Sequence, residues 1–195
     1  VTDTAAALAA GAPVLWDDAG GNLSVDHHYG SADAVAPAFA AAHHVTTIDL
    51  HNQRVYGLPL EPRAALGVYD ADGPAITLHA GGQGILIQRN ALCAIFGLAE
   101  ENVRVVCKDV GGGFGVRATM FPEFVFTVWA SKHVGRPVKW TGERSEIFLS
   151  DPQARDMKTH GELAFDADGR ILAMRAHTIS NIGAQTLHLV PEARG

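Results

Sequence analysis

The residues Asp109-Val110-Gly111-Gly112-Gly113-Phe114-Gly115 place a glycine-rich loop between a predicted strand and a predicted helix. The strand is predicted over residues 102–110 and the helix over residues 121–133, with Pro122 in its first turn. Glycine lets a backbone approach a ligand closely, and a helix N-terminus offers unpaired N–H groups. The loop is therefore a candidate binding site for an anion or a cofactor, with a tight turn beneath a packed helix as the alternative.

A second glycine loop, Gly81-Gly82-Gln83-Gly84, lies between a strand predicted over residues 75–79 and a helix predicted over residues 85–96. Neither loop has a familiar nucleotide-binding pattern. A Walker loop ends in Gly-Lys-Ser/Thr, whereas Gly115 is followed by Val116 and Arg117. The third glycine of a dinucleotide motif would come one position later. An unrelated nucleotide-binding domain is kept as an alternative that saturable binding of ATP or NAD would support.

The remaining pattern indicates an α+β fold, a mixed sheet with helices mainly on one face. Hairpin-forming segments exclude purely parallel pairing. In the strand predicted over residues 44–50, we expect Thr46, Ile48 and Leu50 to face the core. The helix predicted over residues 121–133 is expected to be buried around most of its circumference. Residues 1–30 are predicted to be a linker and N-terminal extension, and residues 31–195 an incomplete domain. Further strands are predicted over residues 63–69, 161–165 and 171–180, and further helices over residues 4–10 and 32–42.

The composition argues against several classes of function. Of the 195 residues, 47% are hydrophobic and 18% charged, as in ordinary globular proteins. A net charge of -6 argues against a nucleic-acid partner, and no apolar run approaches the ~20 residues that span a membrane, so a cytoplasmic protein is expected. Cys93 and Cys107 lack the C-x-x-C spacing of zinc or iron–sulfur sites. Because the chain begins at Val1 and stops without a closing element, we expect an excised segment, a processed chain or one piece of a split polypeptide.

Five motifs together resemble the molybdenum hydroxylases, the family of xanthine dehydrogenase, aldehyde oxidase and aerobic carbon monoxide dehydrogenase. The first is the glycine loop over residues 109–115, followed by Arg117 and Phe121-Pro122-Glu123. The others occur in the family's order: Asn52-Gln53-Arg54 with Glu61-Pro62-Arg63-Ala64-Ala65, Gln83-Gly84 with Gln88-Arg89, Gly135-Arg136-Pro137-Val138-Lys139-Trp140, and Glu143-Arg144-Ser145-Glu146. Each motif is weak alone, and their combination carries the resemblance.

The resemblance implies a molybdenum-cofactor-binding domain that holds molybdopterin, in its cytosine dinucleotide form, with molybdenum. No side chain need ligate the metal directly, since the family's metal is held by the organic cofactor. Gln83 would donate a hydrogen bond to the apical oxo group without ligating the metal, and Phe114 would form an aromatic wall beside the metal. The backbone around these two residues must then converge in space. The implied cofactor-binding residues are Gly82, Gln83, Gly84, Gly113, Phe114 and Gly115. The alternatives are a surface amide for Gln83 and a core aromatic for Phe114.

The implied substrate pocket contains Phe114, Ala118 and Arg155. Purine-oxidising members carry an acidic residue where this chain has Ala118, so purine oxidation is not expected, and the carbon monoxide dehydrogenase branch is the more similar one. Arg155 falls where the family often places an arginine that stabilises negative charge on the substrate. The alternative for Arg155 is a surface ion pair with Asp151 or Asp156.

The function implied is hydroxylation of an aldehyde, an N-heterocycle or a similar small substrate with water-derived oxygen. The family's general-base glutamate lies beyond this segment, so no catalytic residue is expected here, and Glu123 and Glu143 are poor replacements. Iron–sulfur clusters and FAD are expected only on partner regions or subunits, and the isolated segment is expected to be inactive. A non-catalytic binding or scaffold homologue, or a subunit of a split enzyme, is the alternative.

Overall fold

The computed structural model describes residues 3–184, which divide into two compact units. The described parts of unit 1 are residues 3–55 and 154–184, and unit 2 is Tyr56–Gln153. In chain order the elements are α1 (Thr4–Ala7), α2 (Ala32–Ala40), β1 (His44–Val55), β2 (Ala64–Asp70), β3 (Ala75–Ala80), α3 (Ile85–Phe96), a 3-10 turn (Glu100–Asn102), β4 (Val103–Val106), α4 (Pro122–Val134), β5 (Val138–Thr141), α5 (Arg144–Ser150), β6 (Ala154–Phe165) and β7 (Ile171–Ser180). Within residues 3–184, no helix is long and apolar enough to cross a membrane.

Unit 1 is built on a three-stranded antiparallel sheet with the order β1-β6-β7. β1 has twelve residues rather than the seven predicted, because β6 pairs with it from His44 to Val55. Ile48 and Leu50 are 53% and 50% exposed, so the prediction that this face of the strand lies in a core is wrong for the described residues. Strand alternation shows which residues share a face, but it does not show whether that face is covered.

Unit 2 is built on a four-stranded sheet with the order β4-β3-β2-β5, in which only β3 and β4 run parallel. Alternate residues of its two central strands, among them Ala65, Ile76 and Leu78, are buried against Leu92 of α3 and Phe124 of α4. Both helices therefore cover one face of a mixed sheet, which confirms the predicted layering. The described residues hold two sheets, and the second, in unit 1, is purely antiparallel.

α4 packs closely on β2 because Gly67 leaves room for its backbone. A Cβ at Gly67 would lie 2.6 Å from Val128 N, so any larger residue would push the helix away from the sheet. Only one side of α4 is covered: Phe124 and Val128 are fully buried, whereas Phe126 is 65% exposed. The prediction that α4 is buried around most of its circumference is wrong for this part of the chain.

The parallel pair β3 and β4 brings both glycine loops to one edge of the sheet. Their register runs from Ile76 opposite Val103 to His79 opposite Val106, so the two strands end side by side. Loop 1 (residues 81–84) leaves β3 and enters α3, and loop 2 (residues 107–121) leaves β4 and enters α4. Both loops therefore begin at the carboxyl ends of adjacent parallel strands, where ligands bind in many α/β sheets.

Candidate cofactor-binding site

Loops 1 and 2 are joined by hydrogen bonds around Gln83. The Gln83 N–H donates to the Arg117 carbonyl oxygen at 3.0 Å. In return, Gln83 Oε1 accepts from the Gly115 N–H at 2.8 Å and from the Arg117 N–H at 3.4 Å. A Cβ at Gly113 would lie only 2.4 Å from Gln83 Cδ, so the side chain rests directly on loop 2. The convergence that the family resemblance requires is confirmed.

These contacts fix the direction of the Gln83 amide. Backbone N–H groups can only donate, so the amide atom that they approach must be the oxygen. The amide nitrogen, Nε2, is then left as a donor, and the described residues provide no acceptor for it, while the Gln83 side chain is exposed. The contacts with loop 2 therefore leave Nε2 of Gln83 as a hydrogen-bond donor that a bound ligand can use.

Phe114, which lies between Gly113 and Gly115 in loop 2, is held in an unusual backbone conformation. Its φ is 51°, a left-handed value that costs a non-glycine residue roughly 1–2 kcal/mol. Its side chain is 73% exposed, so the alternative that it is a core aromatic is wrong for the described residues. A Cβ at Gly57 would lie 3.0 Å from Phe114 Cβ, which shows that the residue rests on the chain segment that follows Tyr56. Strain of this kind persists only where surrounding contacts enforce it.

Glu61 holds the start of the glycine run. Its Oε2 accepts from the Gly111 N–H at 2.7 Å, and its own N–H donates to the Gly111 carbonyl oxygen at 3.2 Å. A Cβ at Gly111 would lie 2.5 Å from Glu61 Cβ, so this position admits only glycine. The Glu61-Pro62-Arg63 motif thus contributes the carboxylate that fixes the path of loop 2.

A buried group of charged residues lies beneath loop 2. Arg63 pairs with Asp151, and its second nitrogen donates to Glu123 at 2.9 Å. Arg117 lies 3.7 Å from the same Asp151 and donates to the Glu61 carbonyl oxygen at 2.7 Å. Two guanidinium groups face two carboxylates, which keeps the cluster electrically balanced in a place where an unpaired charge would be costly.

Two pKa shifts follow from this burial. The Tyr56 hydroxyl donates a hydrogen bond to Asp151 at 2.6 Å. Burial, together with this bond to a carboxylate, raises the pKa of Tyr56 to about 12. Burial lowers the pKa of the Arg117 guanidinium, and the negative charge of Asp151 opposes that shift. Tyr56 is therefore neutral at physiological pH and serves Asp151 as a hydrogen-bond donor.

The family model that matches this chain is described as "Molybdopterin cofactor-binding domain", and the match covers residues 15–193. The chain belongs to the molybdopterin cofactor-binding domain family. It is 33% identical over 196 residues to the carbon monoxide dehydrogenase large chain of Hydrogenophaga pseudoflava, covering 94% of this chain and 24% of the relative. It is 40% identical over 157 residues to subunit gamma of the 6-hydroxypseudooxynicotine dehydrogenase complex of Paenarthrobacter nicotinovorans, covering 80% of this chain and 19% of that subunit.

Among solved structures, the CO dehydrogenase from Oligotropha carboxidovorans superimposes with a TM-score of 0.83 at 31% identity, over 91% of this chain and 24% of that one. The chain thus spans about a quarter or less of the length of these relatives. The α+β architecture described above is that of the molybdopterin cofactor-binding domain.

The residues at the two loops fit a bound molybdopterin cofactor. Among residues 3–184 the donor Nε2 of Gln83 has no acceptor and can bond to one on the cofactor, and Phe114, which immediately precedes Gly115 in loop 2, is an exposed aromatic residue. At Gly115 a Cβ would meet no atom of the described residues within 4 Å, so residues 3–184 leave the backbone open on that side. This is how a cofactor-binding domain can contribute orientation and hydrogen bonds without ligating the metal.

Gly82 and Gly84 have packing reasons of their own. A Cβ at Gly82 would lie 2.6 Å from Nε2 of Gln88, which is fully buried, and a Cβ at Gly84 would lie 3.2 Å from Ile87 Cδ1. Gly84 also begins α3 without a side-chain cap, so the first N–H groups of that helix have no side-chain partner from it. Small residues in loop 1 therefore serve the packing of α3 as well as any ligand.

The structure places Ala118 in loop 2 and Arg155 in unit 1. Ala118 is half-buried, and its carbonyl oxygen would be 3.3 Å from a Cβ at Gly84. Arg155 is exposed, has a φ of 72°, and forms no ion pair within residues 3–184. Its suggested partners bond elsewhere, Asp151 to Arg63 and Asp156 to Arg54. A hydrogen bond from Asn181, which is the largest cause, and the nearby Arg54 lower the pKa of Asp156.

Sequence reasoning missed the residues that support the loops from below. Tyr56 carries no motif, and Asp151 was considered only as a partner for Arg155. Arg144, quoted as part of a charged cluster, donates to the Pro59 and Leu60 carbonyl oxygens at 3.0 and 2.6 Å. Glu123, which belongs to the Phe121-Pro122-Glu123 motif, pairs with buried Arg63. Because these partners lie far apart in the sequence, they leave no periodic pattern, and the sequence does not show that the charges meet.

Proposed function

We propose that loops 1 and 2 hold a molybdopterin cofactor in a protein that hydroxylates a small substrate with water-derived oxygen. The observation that carries the proposal is the amide of Gln83, whose oxygen is occupied by the Gly115 and Arg117 N–H groups, so that only Nε2 can face the cofactor. When bound, the cofactor supplies the two-electron redox chemistry. The chain itself supplies position and hydrogen bonding.

The roles proposed for the remaining residues rest on the family resemblance. Gly82, Gln83 and Gly84 of loop 1, with Gly113, Phe114 and Gly115 of loop 2, form the cofactor-binding set. Phe114 would limit the substrate to molecules that stack against an exposed ring, and Ala118 adds no charge to loop 2. Arg155 is also proposed to contact the substrate. No residue of this segment is assigned as the general base.

The substrate is proposed to be an aldehyde, an N-heterocycle or a similar small molecule rather than a purine. Support comes from relatives described as dehydrogenases of carbon monoxide and of 6-hydroxypseudooxynicotine, and from the absence of a carboxylate at Ala118. The cofactor is proposed to be the cytosine dinucleotide form. Iron–sulfur clusters and FAD are assigned to partner regions or subunits, because relatives are described as a large chain and as one subunit of a complex.

The organisation proposed for the chain rests on its sequence pattern. Residues 31–195 form an incomplete part of the cofactor-binding domain, and residues 1–30 form a linker and N-terminal extension. The rest of the large subunit would complete the site, and a cytoplasmic location is proposed for the assembled protein. An assay of molybdenum and phosphorus in that protein separates an enzyme from a scaffold homologue, since a scaffold would contain neither.

Replacement of Gln83 by alanine in the intact protein tests the proposal. Loss of the donor Nε2 is expected to lower turnover per molybdenum about 10- to 100-fold, while the molybdenum content changes far less. Gln153→Ala is the matched control, because it removes the same amide from an exposed residue of unit 2 that makes none of the loop contacts. Turnover per molybdenum that is unchanged in Gln83→Ala would defeat the assignment.

A further inference from the structure

We propose that Arg117 is a positioning residue for Gln83, and that it acts through the buried Asp151 rather than through contact with a ligand. This inference rests on the proposed function of Gln83. The main chain of Arg117 forms two hydrogen bonds with Gln83. Its carbonyl oxygen accepts from the Gln83 N–H at 3.0 Å, and its N–H donates to Gln83 Oε1 at 3.4 Å. Movement of Arg117 therefore changes the direction of the Gln83 amide.

The side chain of Arg117 is buried among protein groups. A basic residue after a glycine loop would ordinarily be assigned to a phosphate, because guanidinium groups bind phosphate oxygens well. Here the side chain is only 3% exposed. Its Nη2 donates to the Glu61 carbonyl oxygen at 2.7 Å, and its Nη1 lies 3.7 Å from Asp151 Oδ1. Arg117 is thus enclosed beneath the loop and ties it to two other parts of unit 2.

Asp151 links Arg117 to the rest of the cluster. Its two oxygens interact with three groups. Oδ1 faces Arg63 and Arg117, and Oδ2 accepts a hydrogen bond from the Tyr56 hydroxyl at 2.6 Å. Tyr56 is the first residue of unit 2, and Asp151 lies two residues before its last, Gln153. The carboxylate that holds Arg117 is therefore also bonded to the start of the unit.

Glu61 provides a second, independent connection. Its carbonyl oxygen binds the Arg117 side chain, and its carboxylate binds the Gly111 N–H at 2.7 Å. Loop 2 is consequently fixed at Gly111 and at Arg117, on either side of Phe114 and of the N–H of Gly115 that bonds to Gln83. With one of these points lost, the loop can shift under Gln83 although every cofactor-facing residue is still present.

The test uses Arg117→Gln and Arg117→Lys in the native, full-length protein assembled with its cofactor. Arg117→Gln removes the charge beside Asp151, so turnover per molybdenum should fall about tenfold or more, with an altered electron paramagnetic resonance spectrum of the molybdenum centre. A lysine has a single charged nitrogen and cannot reach Glu61 and Asp151 in the same way, so Arg117→Lys should recover only part of the turnover. Amide hydrogen exchange at Gln83 and Gly115 should become faster in both variants.

Glu123→Gln is the matched control, since it weakens the same cluster at Arg63 and makes no contact with Arg117. It should lower the melting temperature yet leave the spectrum and the exchange at Gln83 unchanged. A role limited to stability would make Glu123→Gln and Arg117→Gln behave alike, which would overturn the proposal. If Arg117→Gln does not accumulate as folded protein, Arg117→Lys with unchanged exchange and spectrum would overturn it equally.

The outcome with Gln83→Ala separates this inference from the function on which it rests. Reduced turnover in Gln83→Ala together with unaffected Arg117 variants would refute the positioning role and leave the proposed function standing. Unchanged turnover in Gln83→Ala would refute the role of Gln83 itself. The exchange measurement needs no bound cofactor, so it reports on the Arg117–Gln83 link in either case.

Discussion

Gly113→Ala is the substitution that most directly tests the contact between the two loops. The new Cβ would lie 2.4 Å from Gln83 Cδ and 2.7 Å from Gln83 Oε1. Non-bonded carbon atoms rest roughly 3.5–4.0 Å apart, so the amide of Gln83 must move by about 1 Å or more. The Gly115 N–H bond to Oε1, now 2.8 Å long, would then be stretched beyond hydrogen-bonding distance.

The magnitudes predict that activity suffers more than stability. Two hydrogen bonds to Oε1 are affected, and each contributes about 1 kcal/mol to the free energy of unfolding. Because the side chain is exposed, water replaces part of that loss, so we expect a decrease of roughly 1–2 kcal/mol. A displaced hydrogen-bonding partner of a metal centre costs about 10- to 100-fold in activity or metal affinity. Turnover per molybdenum should therefore fall at least tenfold in a protein that still folds.

The assay is turnover divided by molybdenum content, measured beside the unfolding midpoint in the intact protein. Gly97→Ala is the control, because Gly97 ends α3 with a left-handed φ of 63° and a Cβ there would meet nothing within 4 Å. Alanine at such a position costs about 1 kcal/mol of stability through backbone strain alone. Equal turnover per molybdenum in wild type and Gly113→Ala would show that the contact between Gly113 and Gln83 does not control activity. A loss of turnover in Gly97→Ala as large as that in Gly113→Ala would show the same.

Two further predictions concern the framework of unit 2. Gly67→Ala should lower the free energy of unfolding by at least about 1–3 kcal/mol, because the added Cβ would lie 2.6 Å from backbone atoms of α4 that cannot move independently; an unchanged urea midpoint would contradict this. Tyr56 has its pKa raised to about 12, so the stability contributed by its neutral phenol is fully present below pH 10 and is lost as the pH rises through about 12. The difference in tyrosinate absorbance between the wild type and Tyr56→Phe reports on Tyr56 alone. This difference should appear near pH 12 in the folded protein, and its appearance near pH 10 would count against the bond to Asp151.

The helix ends of unit 2 were predictable because local chemistry sets them. Gly97 ends α3 where the sequence predicted, and α4 runs from Pro122 to Val134 against a prediction of residues 121–133. α5 was not predicted, although Glu143 and Glu146 form a capping box that marks its start. The spacing of these two glutamates is a local signal, so the start of α5 could have been predicted from the sequence.

Pairing and burial depended on partners that a local pattern does not reveal. β1 extends to Val55 because Ala154 and its neighbours in β6 pair along it, a hundred residues away in sequence. β5 was not predicted either, since its four residues carry little periodicity and are defined by pairing with β2. Exposure of Ile48 in β1 and Phe126 in α4 follows from which elements cover a face, and periodicity cannot supply that information.

The site shows which features of a glycine motif carry information about a ligand. Gly111 is required by the Cβ of Glu61 and Gly113 by the amide of Gln83, so both glycines are explained by contacts within the protein. Gly115 differs, because its φ is 83° and no atom within the described part of the chain fills the space beside it. A homologue without cofactor could therefore keep Gly111 and Gly113 for packing alone. The donor Nε2 of Gln83 has no such packing role, so among these features it is the one whose loss distinguishes a working cofactor site from a preserved fold.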